Sequence, residues 1–296
     1  MNQKNKYSII LPTYNRANSY LKNAIESVIN QTYKNWELLV IDNHSTDNTK
    51  ELINSYEKNN IKFLINYTRG NIAKSRNLGI KKSTGDYIAF IDSDDTWEPQ
   101  KLEECEKIYG LNSDTLICHS EKWQYENNQM KIVHYGPTKN ATYKNLLIKG
   151  NCLSLSATVV PKYFFSKIGN FSERSEIISA EDYDLWIRIA KNNFQFLFLT
   201  SILGTFRVHS KSISSDILNN TRAVNNVLAL YDYKKDSIPR SWQIAGKRYQ
   251  LNGDKYLALV AYAKSFKNYK NLISSLMYMF TLVIPTYMLK IFFVKK

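Results

Sequence analysis

The sequence is poor in the features of secreted, fibrous or zinc-stabilised proteins. Its 296 residues hold three cysteines, Cys105, Cys118 and Cys152, scattered and without a C-x-x-C pair. That excludes a disulfide framework and a structural zinc site, and fits a reducing compartment. No stretch has a disordered or collagen-like composition; with 44% hydrophobic and 13% aromatic residues the chain reads as globular. Met1-Asn2-Gln3-Lys4-Asn5-Lys6 is polar and runs straight into a strand pattern. Without a secretory signal there, a cytoplasmic chain is expected. Glycine is missing from Leu11-Pro-Thr-Tyr-Asn-Arg16, the loop after that strand. A nucleotidyltransferase usually carries a Gly-rich phosphate loop at this point.

The formal charge of +14 is unevenly spread. Residues 211–296 hold 14 Lys/Arg against 4 Asp/Glu, whereas the first 210 hold 26 against 22. The same tail contains the one long apolar run, Leu272 to Leu289, followed by Lys290-Ile-Phe-Phe-Val-Lys-Lys296. Basic residues around an apolar segment favour an anionic membrane surface over a phosphate backbone, and no nucleic-acid motif supports the other reading. The run has 18 residues and is interrupted by Ser274, Ser275, Thr281 and Pro285, at the lower length limit for a spanning helix. An interfacial or re-entrant helix within 272–294 is the expectation, with a helix buried against the rest of the chain as the alternative.

Over the first hundred residues, strand and helix patterns alternate. Tyr7 to Leu11, Trp36 to Ile41, Ile61 to Ile65 and Tyr87 to Ile91 are short apolar runs that suit buried parallel strands. Between them, Leu21, Ala24, Ile25, Val28 and Ile29 fall at helical spacing, helices carry Leu52, Ile53 and Tyr56 and then residues 73–82, and Pro99 sits at a plausible first helical position. The expected fold is α/β: a mostly parallel, Rossmann-like sheet with helices on both faces, its ligand beyond the carboxyl ends of the strands. Strand-like pieces continue at 115–118, 131–135, 153–160 and 194–199, and a helix opens at Glu181. From Asp216 the pattern is helical. Small polar residues at 212–215 mark a boundary between a catalytic domain, 1–215, and a basic helical region, 216–296.

Two acidic clusters stand out. Asp92-Ser93-Asp94-Asp95 follows an apolar strand, where carboxylates are costly to desolvate without a positive partner. Asp92 and Asp94 share one face of an extended chain and could converge on Mg2+ or Mn2+, hard cations that bridge a diphosphate; the alternative is that these residues cap the next helix. Glu181-Asp182-Tyr183-Asp184 opens a helix, where acids are favoured by the macrodipole alone.

Read together, Ser8-Ile-Ile-Leu-Pro-Thr-Tyr-Asn-Arg16, Ser27-Val-Ile-Asn-Gln-Thr-Tyr33, Leu38-Leu-Val-Ile-Asp-Asn-His-Ser-Thr-Asp47, Ala73-Lys-Ser-Arg-Asn-Leu-Gly79 and Gly85-Asp-Tyr-Ile-Ala-Phe-Ile-Asp-Ser-Asp-Asp95 resemble the family 2 glycosyltransferases over about residues 6–210. The resemblance implies a GT-A fold, a nucleoside diphosphate sugar donor and inversion at the anomeric carbon. It places Pro12, Tyr14 and Asn15 against the base, with Tyr14 either stacked on it or packed on the domain. Asp42 and Asn43 would meet base or ribose; many relatives have a second Asp where this chain has Asn43. Arg76 would approach the nucleotide, Asp92 the ribose, and Asp94 would ligate Mn2+ or Mg2+. Asp182 resembles the family's general base, with Glu181 helping to fix the acceptor. Phe206-Arg207-Val208-His209 is similar to a segment that closes the catalytic domain in many relatives. His209 there is either a metal or pyrophosphate ligand or a satisfied surface residue.

The expected activity is metal-dependent transfer of a sugar to a glycan hydroxyl. The expected acceptor is a lipid-linked oligosaccharide of bacterial surface-polysaccharide synthesis, met by a peripheral or monotopic protein at the inner face of the plasma membrane. A sugar nucleotidyltransferase and a non-catalytic, membrane-bound sugar-nucleotide-binding module are the alternatives.

Overall fold

A computed structural model of the chain describes residues 5–17, 19–56, 60–68, 70–111, 113–231, 237–268 and 276–277. The segment expected to associate with a membrane, 272–294, lies outside the described residues apart from 276 and 277.

The apolar runs of the first hundred residues form strands β1 (Tyr7–Thr13), β2 (Trp36–Asp42), β3 (Ile61–Ile65) and β4 (Tyr87–Phe90). They are joined by helices α1 (Leu21–Ile29), α2 (Thr49–Asn54) and α3 (Ile72–Lys82). All four strands pair in parallel, in the order β3-β2-β1-β4. Every residue of β1 and β2 is buried, because helices cover both faces of the sheet. The period of two sorts the side chains. Ile9, Leu11, Leu38 and Val40 enter a core shared with α1, α2 and α4 (Lys101–Tyr109). Ile10, Leu39 and Ile41 enter the opposite core, beneath α3.

Gly79 sets how closely α3 lies on the sheet, since a Cβ there would come 2.8 Å from Ile10 Cγ2.

Past β4 the sheet becomes mixed. The added strands are β5 (Thr96–Trp97), β6 (Thr115–Tyr125), β7 (Met130–Val133), β8 (Thr158–Pro161) and β9 (Gln195–Val208). The sheet continues β4-β8-β6-β9-β5, with β7 also paired to β6. β6 and β9 share the direction of the first four strands, while β5, β7 and β8 run against it. Helices α5 (Tyr143–Lys149), α6 (Tyr163–Ile168) and α7 (Glu181–Lys191) join the α3 side of the core.

Three local expectations change. The helix after the first acidic cluster begins at Lys101 rather than Pro99, because β5 pairs with β9 and Glu98 N–H donates to Leu203 O, so the chain is still extended there. Residues 155–157 form a 3-10 turn before β8, where a longer strand was expected. β9 runs on to Val208, beyond the apolar piece at 194–199, through its pairing with β6.

Residues beyond 215 form α8 (Ile217–Leu230), α9 (Ser237–Leu251) and α10 (Lys255–Asn268). α8 faces two ways. Ala223, Val227 and Leu228 pack into the main core, while Ile217 joins Ala245, Tyr249, Ala258 and Tyr262 in a small core of its own.

Candidate active site

The carboxyl ends of β1 and β2 carry the residues expected to meet the base. Tyr14 is 49% exposed, open to a stacking partner. Asn15, at a positive φ of 51°, is occupied: its N–H donates to Ser45 Oγ and its Oδ1 accepts from Thr46 N–H, both at 2.8 Å. Asp42 is buried and closes the turn after β2 by accepting from Ser45 N–H at 3.1 Å. The Asn43 amide, oriented to suit its neighbours, donates to Thr68 O at 2.9 Å and accepts from Gly70 N–H at 3.3 Å. Asn15, Asp42 and Asn43 thus stitch three adjacent loops into one rim.

Beside this rim lies a cavity of about 460 Å³ lined by Pro12, Arg76, Asp92, Asp94, Glu181 and Asp182, among others. Arg76 is its organising charge. Buried on α3, it donates through Nη2 to Asp92 Oδ1 at 2.8 Å and through Nη1 to Glu181 Oε1. Burial works against the guanidinium, but Asp92 and Glu181 outweigh it and hold its pKa above the ordinary value. The second Glu181 oxygen accepts from Ser179 N–H at 2.7 Å, so this buried side chain has both oxygens engaged.

In the first acidic cluster, Asp94 turns to β9 and meets His209 Nε2 at 2.8 Å, with Arg16 Nη2 at 3.9 Å. Asp95 is buried and accepts from Arg207 N–H at 3.0 Å. Burial, then the neighbouring Asp94, hold its carboxyl well above the usual range. Asp92 and Asp94 are therefore open to the cavity, and Asp95 is a brace between the motif and β9.

Asp182 stands across the cavity at the start of α7, half-buried. Its Oδ1 accepts from Tyr183 N–H at 2.7 Å, and Asn151 Nδ2 lies 3.5 Å from Oδ2. Burial, then the Glu181 carboxylate, push its pKa up to about 7 against the pull of Arg76. A carboxyl so placed gives and takes protons near neutrality, as a general base must. Asp184 is excluded from such work: it is buried and paired with Arg188 Nη2 at 2.9 Å and with Tyr231 Oη at 2.7 Å.

The metal reading has a geometric basis in this pair of side chains. A carboxylate and an imidazole meeting at 2.8 Å can share one cation. Among the described residues no group of three or more His, Cys, Asp or Glu gathers to hold a metal. Two protein ligands suit a cation that completes its shell with water and substrate phosphate. The residues present fit Mn2+, which accepts imidazole more readily than Mg2+ does.

Other cavity residues had no role assigned to them: Arg16, Asn151, Arg207 and Arg248 also line it, Arg16 in the loop expected at the crevice. Arg16 and Arg207 fall inside the quoted motifs, which is the only signal they carry. Asn151 and Arg248 have none.

A mostly parallel α/β sheet with a carboxylate-rich crevice beyond its strand ends, closed on one side by helices, defines the GT-A class of glycosyltransferase folds. Residues 8–167 match the family described as Glycosyl transferase family 2. The chain belongs to that family and is a glycosyltransferase.

It is 32% identical over 238 residues, 80% of its length and 90% of the relative's, to the UDP-Glc:alpha-D-GlcNAc-diphosphoundecaprenol beta-1,3-glucosyltransferase WfgD of Escherichia coli. To the putative teichuronic acid biosynthesis glycosyltransferase TuaG of Bacillus subtilis it is 27% identical over 219 residues, 73% of this chain and 84% of that one. Among solved structures, S. aureus TarS 1-349 in complex with UDP-GlcNAc superimposes with a TM-score of 0.63 at 20% identity, covering 89% of this chain and 81% of that one.

Proposed function

We propose that the chain transfers a sugar, with inversion, from a nucleoside diphosphate sugar to a hydroxyl of a lipid-linked glycan in surface-polysaccharide synthesis. The observation that carries this is Asp182, a carboxyl with its pKa raised to about 7, facing the Asp92 and Asp94 side of one cavity. Support for donor and acceptor comes from the relatives, one named for UDP-Glc and a diphosphoundecaprenol-linked sugar, another structure bound to UDP-GlcNAc.

In the reaction, the acceptor oxygen attacks the anomeric carbon and its proton passes to an Asp182 oxygen. The bond from that carbon to the diphosphate breaks, and the nucleoside diphosphate leaves with the electron pair. One displacement turns the centre over once. Arg76, held between Asp92 and Glu181, fixes the spacing of donor and base; Glu181 acts through Arg76 rather than on the acceptor. Asp94 and His209 would hold Mn2+ or Mg2+, which when bound supplies positive charge to the leaving diphosphate. Tyr14 offers an open ring to the base, within the rim built by Asn15, Asp42 and Asn43.

The basic tail supports work at an anionic membrane surface. No helix of the described residues is long and apolar enough to cross a membrane.

The test is a panel of sugar nucleotides, with and without Mn2+, read by thermal stabilisation and by transfer to a lipid-linked acceptor. One donor should stabilise the protein, by about 2.7 kcal/mol at 100 times its Kd, and yield a product of inverted configuration. A product that retains the donor's configuration, or no stabilisation by any sugar nucleotide, overturns the reading.

A further inference from the structure

The cavity does not end at the acids. It continues to a far end walled by the turn at 212–214 and by α8 and α9, where Val224, Ile244 and Arg248 line it. This end contrasts chemically with the first. There Arg76 is neutralised by two carboxylates. Arg248 is paired with none among the described residues: its Nη1 donates to Asn220 Oδ1 at 3.1 Å and its Nη2 to Ser214 O, both neutral acceptors. Burial lowers its pKa, as expected for a cation drawn partly out of water without a counterion. Three of its five N–H donors remain after those two bonds.

Its surroundings are apolar as well as cationic. Ile213 and Ile244 line the same end and are 55% and 48% exposed. A guanidinium without an acid, beside open aliphatic side chains, matches a ligand with a phosphate on a hydrocarbon chain. It does not match a neutral sugar.

We propose that the α8–α9 end of the cavity seats the phosphorylated lipid carrier of the acceptor. The diphosphate lies against Arg248 and the first isoprenoid units lie over Ile213 and Ile244. The carrier's sugar then extends along the cavity toward Asp182. This rests on the function proposed above for the other end of the cavity.

The experiment uses the full chain with UDP and Mn2+ at saturation, which fills the donor side, and farnesyl diphosphate as the probe. Arg248→Gln should weaken farnesyl diphosphate binding about tenfold or more, as for a lost charge-assisted hydrogen bond. Its affinity for UDP should stay within about twofold, and Arg248→Lys should recover part of the loss. Ile213→Ser with Ile244→Ser should weaken farnesyl diphosphate while leaving inorganic pyrophosphate unchanged, which separates a lipid diphosphate from a free one.

Failure of the wild type to bind farnesyl diphosphate overturns the proposal. So does an equal loss of UDP and farnesyl diphosphate in Arg248→Gln, which would assign Arg248 to the donor. If Arg248→Gln does not fold, the double isoleucine variant, altered only at exposed positions, decides: unchanged farnesyl diphosphate affinity overturns the proposal. Loss of sugar-nucleotide use in the wild type, with farnesyl diphosphate still bound, would instead sink the function proposed for the acid end.

Discussion

The acids at 92–95 leave a strand, whereas those at 181–184 open a helix, and the two settings sort their side chains by different rules. After β4 the chain turns rather than staying extended as expected: Asp95 N–H donates to Asp92 O at 3.1 Å across Ser93 and Asp94. Asp92 and Asp94 reach the cavity with Ser93 between them, and Asp95 is buried and turned to Arg207. At the start of α7 the sorting follows helical rotation. Glu181 turns inward to Arg76, Asp182 faces the cavity, and Asp184 turns to Arg188 and Tyr231. The first cluster thus opens two carboxylates to the cavity and spends Asp95 on bracing, the second opens Asp182 and spends Glu181 and Asp184, and Arg76 ties the two together. An acid-rich motif is a mixture of struts and reagents, and burial with partner count tells them apart.

That division can be broken from either side, and the largest effect should come from the reagent. Asp182→Asn should lower kcat for transfer about 10²- to 10⁴-fold, roughly 3 to 5 kcal/mol of barrier, with donor Kd within about twofold. In the wild type kcat/KM should fall as pH drops below about 7, because the base must be ionised, and this limb should vanish in the variant. The stability effect has the opposite sign. A carboxyl whose folded pKa lies above its unfolded value destabilises the fold as pH rises between the two. Asp182→Asn should therefore melt higher than wild type at pH 8, with the gap closing toward pH 4. Transfer within about threefold of wild type would exclude Asp182 as the base.

Next comes the tie between the clusters. Arg76→Met strips the cation from two carboxylates at once and should cost about 3 to 5 kcal/mol in urea unfolding. A loss below about 1 kcal/mol would show that the pair is solvated rather than braced. His209→Ala removes one of the two side chains proposed to hold a cation. Loss of an outer-shell partner already costs about 10- to 100-fold in metal affinity, so the half-saturating Mn2+ should rise at least about tenfold. No shift would move the metal away from this pair.

The smallest effect on catalysis belongs to the strut. Asp184→Asn should keep kcat within about threefold while losing about 1 to 3 kcal/mol of stability, because Arg188 and Tyr231 lose a charged partner. A larger loss in kcat than in Asp182→Asn would reverse the assignment of reagent and strut within the cluster.

β1, β2 and β4 could be read from the chain because they are buried on both faces and so are mostly apolar, and β3, a half-buried edge strand, because Ile61, Phe63, Leu64 and Ile65 flank its one exposed residue, Lys62. β5 could not, since two residues carry no periodicity and Thr96–Trp97 is a strand only through Thr205 and Gly204. That same antiparallel register carries β9 past the first acidic cluster and delivers His209 to Asp94, a contact spanning 115 residues. Local pattern identifies the acids, but which of them share a partner is decided by strand register and helix docking. Arg76 shows the limit most plainly. Its spacing on α3 marks it as a helix cation, and only the packing of α3 beside α7 makes it the bridge between Asp92 and Glu181. Pro99 misleads for a related reason, because pairing along β5 and β9 delays the helix that its φ would permit.

The two-faced packing of α8 has a consequence for building hybrids from related enzymes. Its Val227 and Leu228 complete the main core, while its Asn220 and Val224 line the cavity. A chimera joined at residue 215 would import a foreign α8 into a core shaped for this one, and would change the cavity in the same stroke. A junction in the stretch between α8 and α9 keeps that core intact and exchanges only the α9 side of the cavity, Arg248 included. Exchanging this side of the cavity among such proteins is therefore a question of where the seam falls, and the packing of α8 favours a junction one helix later than the cluster of serines.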